Sequence, residues 1–155
     1  GAIVPPYDGS YGIHGTAAGI EFAVLQLKVD RIVVCGHSHC GAVKSAYEGV
    51  PDNAINLKAW LSLIDEALLP VCQTSEALRR VEQRSIILQL ERLMDYPMVR
   101  TAVEQKRLTL HGWYYVIEDG EVQVFDVEKG QFISSHVADS CGTGPYLKHD
   151  DCGCQ

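Results

Sequence analysis

The chain has 155 residues, of which 46% are hydrophobic and 21% are charged, and these values are typical of one globular domain with a sizeable core. Its 13 Lys and Arg residues against 20 Asp and Glu residues give a formal net charge of −7, which argues against nucleic acids and anionic membranes as partners. The sequence contains no apolar run of the roughly 18 residues needed to cross a bilayer, and its first residues do not resemble a secretory signal.

The beginning of the chain predicts an extended segment followed by a helix. Pro5 and Pro6 in "GAIVPPYDGSYG" exclude regular helix or strand pairing there. The next stretch, "GTAAGIEFAVLQLKV", predicts an amphipathic helix with Thr16 as its N-cap. Its apolar stripe has the helical spacing i, i+3, i+4 and i+7 and consists of Ile20, Ala23, Val24 and Leu27.

The next elements alternate between strand and helix. "RIVVC" is a short, continuously apolar and β-branched run, which is typical of a strand covered on both faces in a parallel sheet. "CGAVKSAYEG" predicts a short helix after it, and "AINLKAWLSLIDEALL" predicts a second one. The apolar face of that second helix consists of Leu57, Leu61, Ile64 and Leu68.

The second half of the chain predicts helices and then a hairpin. "SEALRRVEQRSIILQLERLMD" indicates a long helix capped by Ser75, and Pro97 begins a shorter one. Two β-rich runs flank Asp119-Gly120, a dipeptide suited to a tight hairpin turn. These elements predict an α/β fold, with a mostly parallel central sheet flanked by helices and an antiparallel C-terminal hairpin. We place this domain at residues 1–133 and a cysteine-containing tail at residues 134–155.

The run "CGHSHC", residues 35–40, follows the predicted strand and carries the chemistry. Ligand sites of open α/β sheets lie at the carboxyl ends of strands, and Gly36 allows a sharp turn there. His37 and Cys40 are three residues apart, and an imidazole with a thiolate suits Zn²⁺. A hydrogen-bonding pair without metal is the alternative. We interpret Cys35 as a core residue and His39 as a solvated or hydrogen-bonding one.

The redox interpretation of Cys35 and Cys40 is disfavoured, because four residues separate them rather than the two of a C-x-x-C pair.

Several motifs, in the same order, resemble those of the β-class carbonic anhydrases. The stretch "GTAAGIEFAVLQLKVDRIVVCGHSHCGAVKS" resembles the family's central helix and its Cys-Gly-His-Ser-x-Cys-Gly motif. "IVPPY", "LQLERLMDYPMVRTAV" and "LTLHGWYYVIEDGEV" are similar to segments before and after it, so the resemblance covers roughly residues 1 to 130. It implies a parallel-sheet α/β core, a homodimer or larger homo-oligomer, and reversible hydration of CO₂ to bicarbonate and a proton.

The resemblance also implies roles for particular residues. His37 and Cys40 match two zinc ligands, and Gly41 would bring the backbone close to the substrate pocket. Zinc lowers the pKa of bound water, so that hydroxide forms near neutral pH and attacks CO₂. The family's first ligand and its Asp–Arg pair lie in an upstream Cys-x-Asp-x-Arg motif that is absent here, so no catalytic residue is assigned in this chain. We expect these residues to be the carboxyl-terminal part of a longer enzyme, weak in metal binding alone.

Two other functions remain open at the level of sequence. The same scaffold can serve a hydrolase of a CO₂ analogue such as CS₂ or COS, and pocket access would separate the two substrates. A homologue without the upstream ligand loop can instead be a non-catalytic scaffold or interaction subunit. The residues preceding the family's "IVPPY" segment would separate this interpretation from the enzyme.

The remaining cysteines and aromatic residues have weaker signals. A tail rich in Cys and His, with Cys141, His149, Cys152 and Cys154, predicts a flexible or dimer-packing segment, with thiol regulation or metal binding as alternatives. Six cysteines in a chain with a good core indicate reduced thiols and a cytoplasmic protein. The residues expected in structural roles, or at most at the border of the pocket, are Tyr7, Asp8, Trp60, His111 and Trp113.

Overall fold

The structure is a computed structural model that describes residues 1–9 and 12–136. The helices are α1 (Gly15–Glu21, continued by a π-helical turn at Phe22–Gln26), α2 (Gly41–Glu48), α3 (Ile55–Leu61, continued by a 3-10 helix at Ser62–Ala67), α4 (Ser75–Asp95) and α5 (Pro97–Glu104). The strands are β1 (Arg31–His37), β2 (Thr109–Val116), β3 (Glu121–Asp126) and β4 (Gln131–Ser134). None of the helices in these ranges is long and apolar enough to span a membrane.

The four strands form one mixed sheet in the order β1-β2-β3-β4. β1 and β2 are parallel, with Arg31 opposite Thr109 and His37 opposite Tyr115. β2 pairs with β3, and β3 with β4, in antiparallel fashion. Gly120 has a φ of +66° in the turn between β2 and β3. The α/β class with an antiparallel C-terminal hairpin is therefore confirmed.

Helix α4 packs across one face of the sheet and forms the centre of the core. Ile86, Leu90 and Leu93 of this helix are almost completely buried. They belong to the same cluster as the buried side chains of β1, β2 and α5, among them Val34, Leu110, Tyr114 and Val99. A long helix over a parallel strand pair is the packing that a continuously apolar helix face predicts.

Two glycines allow α4 to approach the sheet closely. A Cβ at Gly36 on β1 would lie 2.8 Å from two side-chain carbons of Ile86. A Cβ at Gly112 on the neighbouring strand would lie 3.1 Å from side-chain atoms of Ile86 and Leu90. Both distances are shorter than ordinary contacts of a Cβ atom, so there is too little space at either position for a residue larger than glycine.

The N-terminal segment, residues 1–9, lies against α4 and is held there by its backbone. The N–H of Val4 donates to Oε1 of Gln89 at 2.8 Å, and the Tyr96 hydroxyl donates to the carbonyl of Pro5 at 2.8 Å. Buried backbone groups need such partners because the prolines prevent regular pairing. This arrangement brings the first residues of the chain close to the carboxyl end of β1.

Both predicted N-caps are wrong by one or two residues. Helix α1 begins at Gly15, so Thr16 lies inside it, and the preceding His14 makes no side-chain capping bond. The cap of α4 is Thr74, whose hydroxyl accepts the N–H of Ala77 at 3.1 Å, and Ser75 is the first helical residue. Ser and Thr are equally good caps, so the sequence "TS" does not decide between neighbours.

The helix predicted over residues 54–69 is interrupted. It is α-helical only to Leu61 and then tightens into the 3-10 segment. The hydroxyl of Ser62 donates to the carbonyl of Ala59 at 2.8 Å at this junction, and such back-bonding competes with the helical ladder. Leu61 and Ile64 are buried as predicted, whereas Leu57 is exposed.

The expectation that β1 is covered on both faces is wrong within the described residues. Val33 and Cys35 are exposed on the face opposite α4, as is Trp113 beside Cys35 on β2. Trp60 on α3 is also exposed, so neither tryptophan is a core residue. Continuous apolar sequence shows that a strand is suited to burial, but it does not show what covers the second face.

We predict that Gly36→Ala lowers the free energy of unfolding by about 1–3 kcal/mol, because the added methyl group collides with Ile86. Gly19→Ala is the matched control: nothing lies within 4 Å of a Cβ there, and alanine is the better helix former. Urea unfolding of both variants measures the difference. Equal stability of the two variants would show that α4 does not need the glycine.

Candidate functional site

A three-residue turn, residues 38–40, joins β1 to α2, and the two predicted metal ligands lie at its two ends. His37 is the last residue of β1, and Cys40 directly precedes the first residue of α2. His39 between them has a φ of +55°, a left-handed conformation that is uncommon outside glycine. The sharp turn brings residues three apart in sequence to the same end of the sheet, where ligand sites of α/β folds lie.

The side chain of His37 is held in the form that binds metals. Its Nδ1 lies 2.8 Å from the carbonyl oxygen of Ser38. A carbonyl can only accept, so Nδ1 is the donor in this bond, and the neutral tautomer that fits it is the one with the lone pair on Nε2. Metal-binding histidines in proteins are usually fixed by such a bond from the other ring nitrogen.

Cys40 is held through its backbone. Its N–H donates to Oε1 of Glu82 at 2.8 Å, and its carbonyl accepts the N–H of Lys44 at 3.1 Å as the first bond of α2. The peptide groups on both sides of this cysteine are therefore fixed, and the direction of its Cα–Cβ bond is fixed with them.

Glu82 links the loop to the core. This carboxylate on α4 is only 5% exposed, and its Oε2 accepts the hydroxyl of Tyr114 at 2.6 Å. Burial raises the pKa of Tyr114, and the hydrogen bond to Glu82 raises it further. The tyrosine therefore remains a donor at all ordinary pH values, and Glu82 keeps both of its partners.

His37 and Cys40 line the same cavity, of about 300 Å³, next to the open edge of β1. Its polar lining comes from Cys35, Glu82, Ser85 and Gln89, in addition to the two predicted ligands. Its apolar lining includes Ile3, Val43, Ile64 and Ile86. The cavity is thus a small, mostly apolar space with an imidazole and a thiol at one end.

The donor set suits zinc but is incomplete within the described residues. An imidazole with a free Nε2 and a thiol are ligands that Zn²⁺ prefers. In residues 1–9 and 12–136 the structure places no group of three His, Cys, Asp or Glu side chains in metal-binding proximity. Cys35 lines the cavity as well, but partial desolvation raises the pKa of its thiol, which disfavours the thiolate form that a metal needs.

A second carboxylate, Glu118 in the turn after β2, fixes the outer part of the loop. Its Oε2 accepts the Ser38 hydroxyl at 2.6 Å, and its Oε1 lies 2.6 Å from Nε2 of His39. The same Ser38 hydroxyl accepts the N–H of Ile117 at 2.9 Å. The bond from Ser38, a backbone N–H and the neighbouring His39 lower the pKa of Glu118 to about 2.

The other predicted residues lie elsewhere. Gly41 is the first residue of α2, and a Cβ there would meet no atom within 4 Å, so its role at the substrate pocket stays a prediction. Tyr7 and Asp8 border a different cavity from that of His37. His111 is hydrogen-bonded, with Nε2 2.9 Å from the Thr109 hydroxyl. The tail residues Cys141, His149, Cys152 and Cys154 lie outside the described residues.

Sequence reasoning missed the two glutamates that hold the loop. Glu82 could have been found from helical periodicity, because it lies four residues before Ile86 and seven before Gln89 and so shares their buried face. A charged residue on a buried helix face needs a partner and therefore marks a specific contact. Glu118 gives no comparable signal, since an acidic residue in a hairpin turn is ordinary.

Comparisons with known proteins agree on one family. The family model described as "Carbonic anhydrase" matches residues 1–122. Carbonic anhydrase 1 of Escherichia coli O157:H7 is 37% identical, over 86% of this chain and 63% of its own length. The carbonic anhydrase of Pseudomonas aeruginosa is 39% identical, also over 86% of this chain and 63% of its own.

Solved structures give the same result. The β-carbonic anhydrase CcaA matches with a TM-score of 0.77 and 31% identity, over 85% of this chain and 62% of its own. One of two tetrameric β-carbonic anhydrases from Sordaria macrospora matches with a TM-score of 0.67 and 30% identity, over 79% of this chain and 62% of its own. The chain therefore spans less than two thirds of the length of these relatives.

We predict that Glu118→Gln removes a pH-dependent part of the stability. The folded pKa of Glu118, about 2, lies below its ordinary value of 4.5, so its contribution is complete above about pH 5. It is lost as the pH falls from 4.5 towards 2. Urea unfolding at pH 6 and at pH 3 should show a stability gap between wild type and variant that narrows at pH 3. A gap of the same size at both pH values would contradict this.

Proposed function

Because the chain belongs to the β-class carbonic anhydrase family, we propose that the protein interconverts CO₂ and bicarbonate with zinc held by His37 and Cys40. The observation that carries this proposal is the cavity shared by the two side chains, with Nε2 of His37 left free by the bond of Nδ1 to Ser38. When bound, zinc acts as a Lewis acid that lowers the pKa of water and so supplies the nucleophile for CO₂ at neutral pH.

In this proposal the described residues would hold the metal and orient the substrate. Cys40 contributes a negative donor at the start of α2, and His37 contributes a neutral one at the end of β1. The apolar side chains of Ile3, Val43 and Ile64 line part of the cavity, which suits a small uncharged substrate such as CO₂.

A catalytic zinc site takes three protein ligands. The family's remaining cysteine and its Asp–Arg pair belong to a Cys-x-Asp-x-Arg motif that these 155 residues do not contain. We therefore expect weak zinc binding and low turnover from this chain until a third donor is supplied. An exogenous thiol in the assay provides a simple donor of that kind.

The two alternative functions have no specific support. The relatives reported above are all carbonic anhydrases, and none is named as a hydrolase of CS₂ or COS. A non-catalytic scaffold would not need the free Nε2 of His37 or a thiol beside it. The assay of CO₂ hydration also decides between the carbonic anhydrase function and these two alternatives.

We also propose that the protein is a homo-oligomer. Three apolar side chains on the π-helical continuation of α1 and directly after it are exposed: Phe22 is 57%, Leu25 53% and Leu27 60% accessible. Apolar residues clustered in this way indicate an interface, and a tetrameric assembly is stated for the relatives from Sordaria macrospora. The occupant of this surface in our proposal is a second copy of the chain.

The location in the cytoplasm is proposed from the cysteines. Within the described residues Cys35, Cys40 and Cys72 are all free thiols, as expected in a reducing compartment. We also retain the proposed division into a domain of residues 1–133 and a tail of residues 134–155; β4 ends one residue beyond this boundary, at Ser134. Cell fractionation tests the compartment, and thiol labelling of each fraction shows whether the chain is reduced or oxidised there.

We predict that Cys40→Ser lowers zinc affinity more than about 100-fold, since loss of a ligand should exceed the effect of losing an outer-shell partner. Cys35→Ser is the matched control, because it removes a nearby thiol that is exposed on the face of the sheet opposite α4 and that we do not assign to the metal. Both variants are made in a background with the three tail cysteines replaced by serine. Zinc titration and CO₂ hydration with added thiol are measured. Equal zinc affinity in the Cys40→Ser variant and its parent would reject the assignment.

We predict that Leu25→Glu dissociates the oligomer, because it places a charge among the exposed apolar side chains of Phe22 and Leu27. Its fold should be preserved, since the wild-type side chain is already half exposed in the single chain. Multi-angle light scattering measures the mass, and circular dichroism checks the fold. A wild-type chain that is monomeric at high concentration would contradict this.

A further inference from the structure

Glu82 is a buried charge that the proposed chemistry does not itself require. It lies on α4, away from the loop in sequence, yet its two oxygens are used by a backbone N–H of the loop and by a side chain of β2. Burying a carboxylate is unfavourable unless hydrogen bonds compensate it. The position of this one therefore needs an explanation beyond packing.

The elements on both sides of Glu82 are closely packed. Helix α4 is seated on the sheet through the close approach at Gly36 and Gly112. Tyr114, which holds Oε2 of Glu82 at 2.6 Å, is completely buried on β2. The carboxylate is thus fixed at one end by the helix and at the other by the sheet.

The bond from the loop to Glu82 is made by the backbone N–H of Cys40. Its N–H is 2.8 Å from Oε1, and bonds to carboxylates are about twice as strong as neutral ones. Fixing this peptide group fixes where Cβ and Sγ of Cys40 lie relative to the cavity. His37 is set separately, by its bond to the Ser38 carbonyl.

We propose that Glu82 is a positioning residue, which holds the Cys40 thiolate for metal capture through the Cys40 N–H and is itself held by Tyr114. This inference rests on the proposed function, because it presupposes that Cys40 binds a metal. Glu82 does not touch the substrate or the metal in this scheme. Its effect passes through the backbone of one ligand.

The chain offers a matched control for this role. Gln89 lies two turns further along α4, is 1% exposed and lines the same cavity. Its Oε1 accepts a backbone N–H at 2.8 Å as well, but that of Val4 rather than of the metal loop. Gln89→Ala therefore removes a comparable buried hydrogen bond without touching Cys40.

The first measurement is the affinity for Co²⁺, followed by the thiolate-to-cobalt charge-transfer absorption. We expect Glu82→Ala to lower the affinity about 10–100-fold and to weaken this absorption. Glu82→Gln keeps an acceptor for the Cys40 N–H and should stay within about threefold of wild type. Gln89→Ala should also stay within about threefold, although it lowers the stability. Thermal unfolding of each variant shows which of them are folded.

The second measurement needs no metal. Hydrogen exchange of the Cys40 amide, followed by NMR, should be at least about tenfold faster in Glu82→Ala and unchanged in Gln89→Ala. If Glu82→Ala does not fold, Tyr114→Phe serves instead. It removes only the bond to Oε2, and we expect changes in the same direction but smaller.

Three results would overturn the inference, and they are distinguishable. If Glu82→Ala has the Co²⁺ affinity and the Cys40 amide exchange rate of the wild type, the positioning role of Glu82 is overturned and the proposed function stays intact. A wild-type chain that gives no thiolate-to-cobalt absorption would overturn the proposed function, and the metal-positioning role with it. Equal losses in Glu82→Ala and Gln89→Ala would also overturn it, because the effect would then be general destabilisation.

Discussion

The close contact between helix α4 and the parallel strand pair is the constraint on which the other features depend. Only a hydrogen atom fits at Gly36, where a Cβ would lie 2.8 Å from Ile86, and Gly112 is nearly as crowded. This contact buries the helix face that carries Ile86 and Leu90, and the same face carries Glu82. The packing of the core therefore also determines where the Glu82 carboxylate lies relative to the loop after β1.

That loop is fixed from two sides by carboxylates of different elements. Glu82 holds the backbone of Cys40 from the helix, while Glu118 holds the side chains of Ser38 and His39 from the hairpin turn. A loop with a residue in a left-handed conformation would otherwise have several accessible arrangements. The cost of binding a metal is lower when its donors are already oriented, because less conformational entropy is lost on binding.

Much of this arrangement could be predicted from the sequence. The strand "RIVVC", the long helix and the hairpin at Asp119-Gly120 follow from local patterns, and they are confirmed. The pattern "CGHSHC" lies at the carboxyl end of β1, as expected from the sequence, and His37 and Cys40 line one cavity there. Their binding of zinc stays a prediction.

The errors have a common physical origin. The exposure of Cys35 and Trp113 depends on what covers the second face of the sheet, which a strand's own residues do not determine. The contacts of Glu82 and Glu118 join residues about 40 and 80 positions apart, whereas sequence patterns report only near neighbours.

The most direct test of our account is X-ray absorption at the zinc edge of the zinc-loaded chain with Cys141→Ser, Cys152→Ser and Cys154→Ser. We predict a sulfur neighbour at about 2.3 Å and an imidazole nitrogen at about 2.0–2.1 Å, both lost when His37→Asn and Cys40→Ser are added. A spectrum that shows only oxygen neighbours, or that these two substitutions leave unchanged, would contradict it.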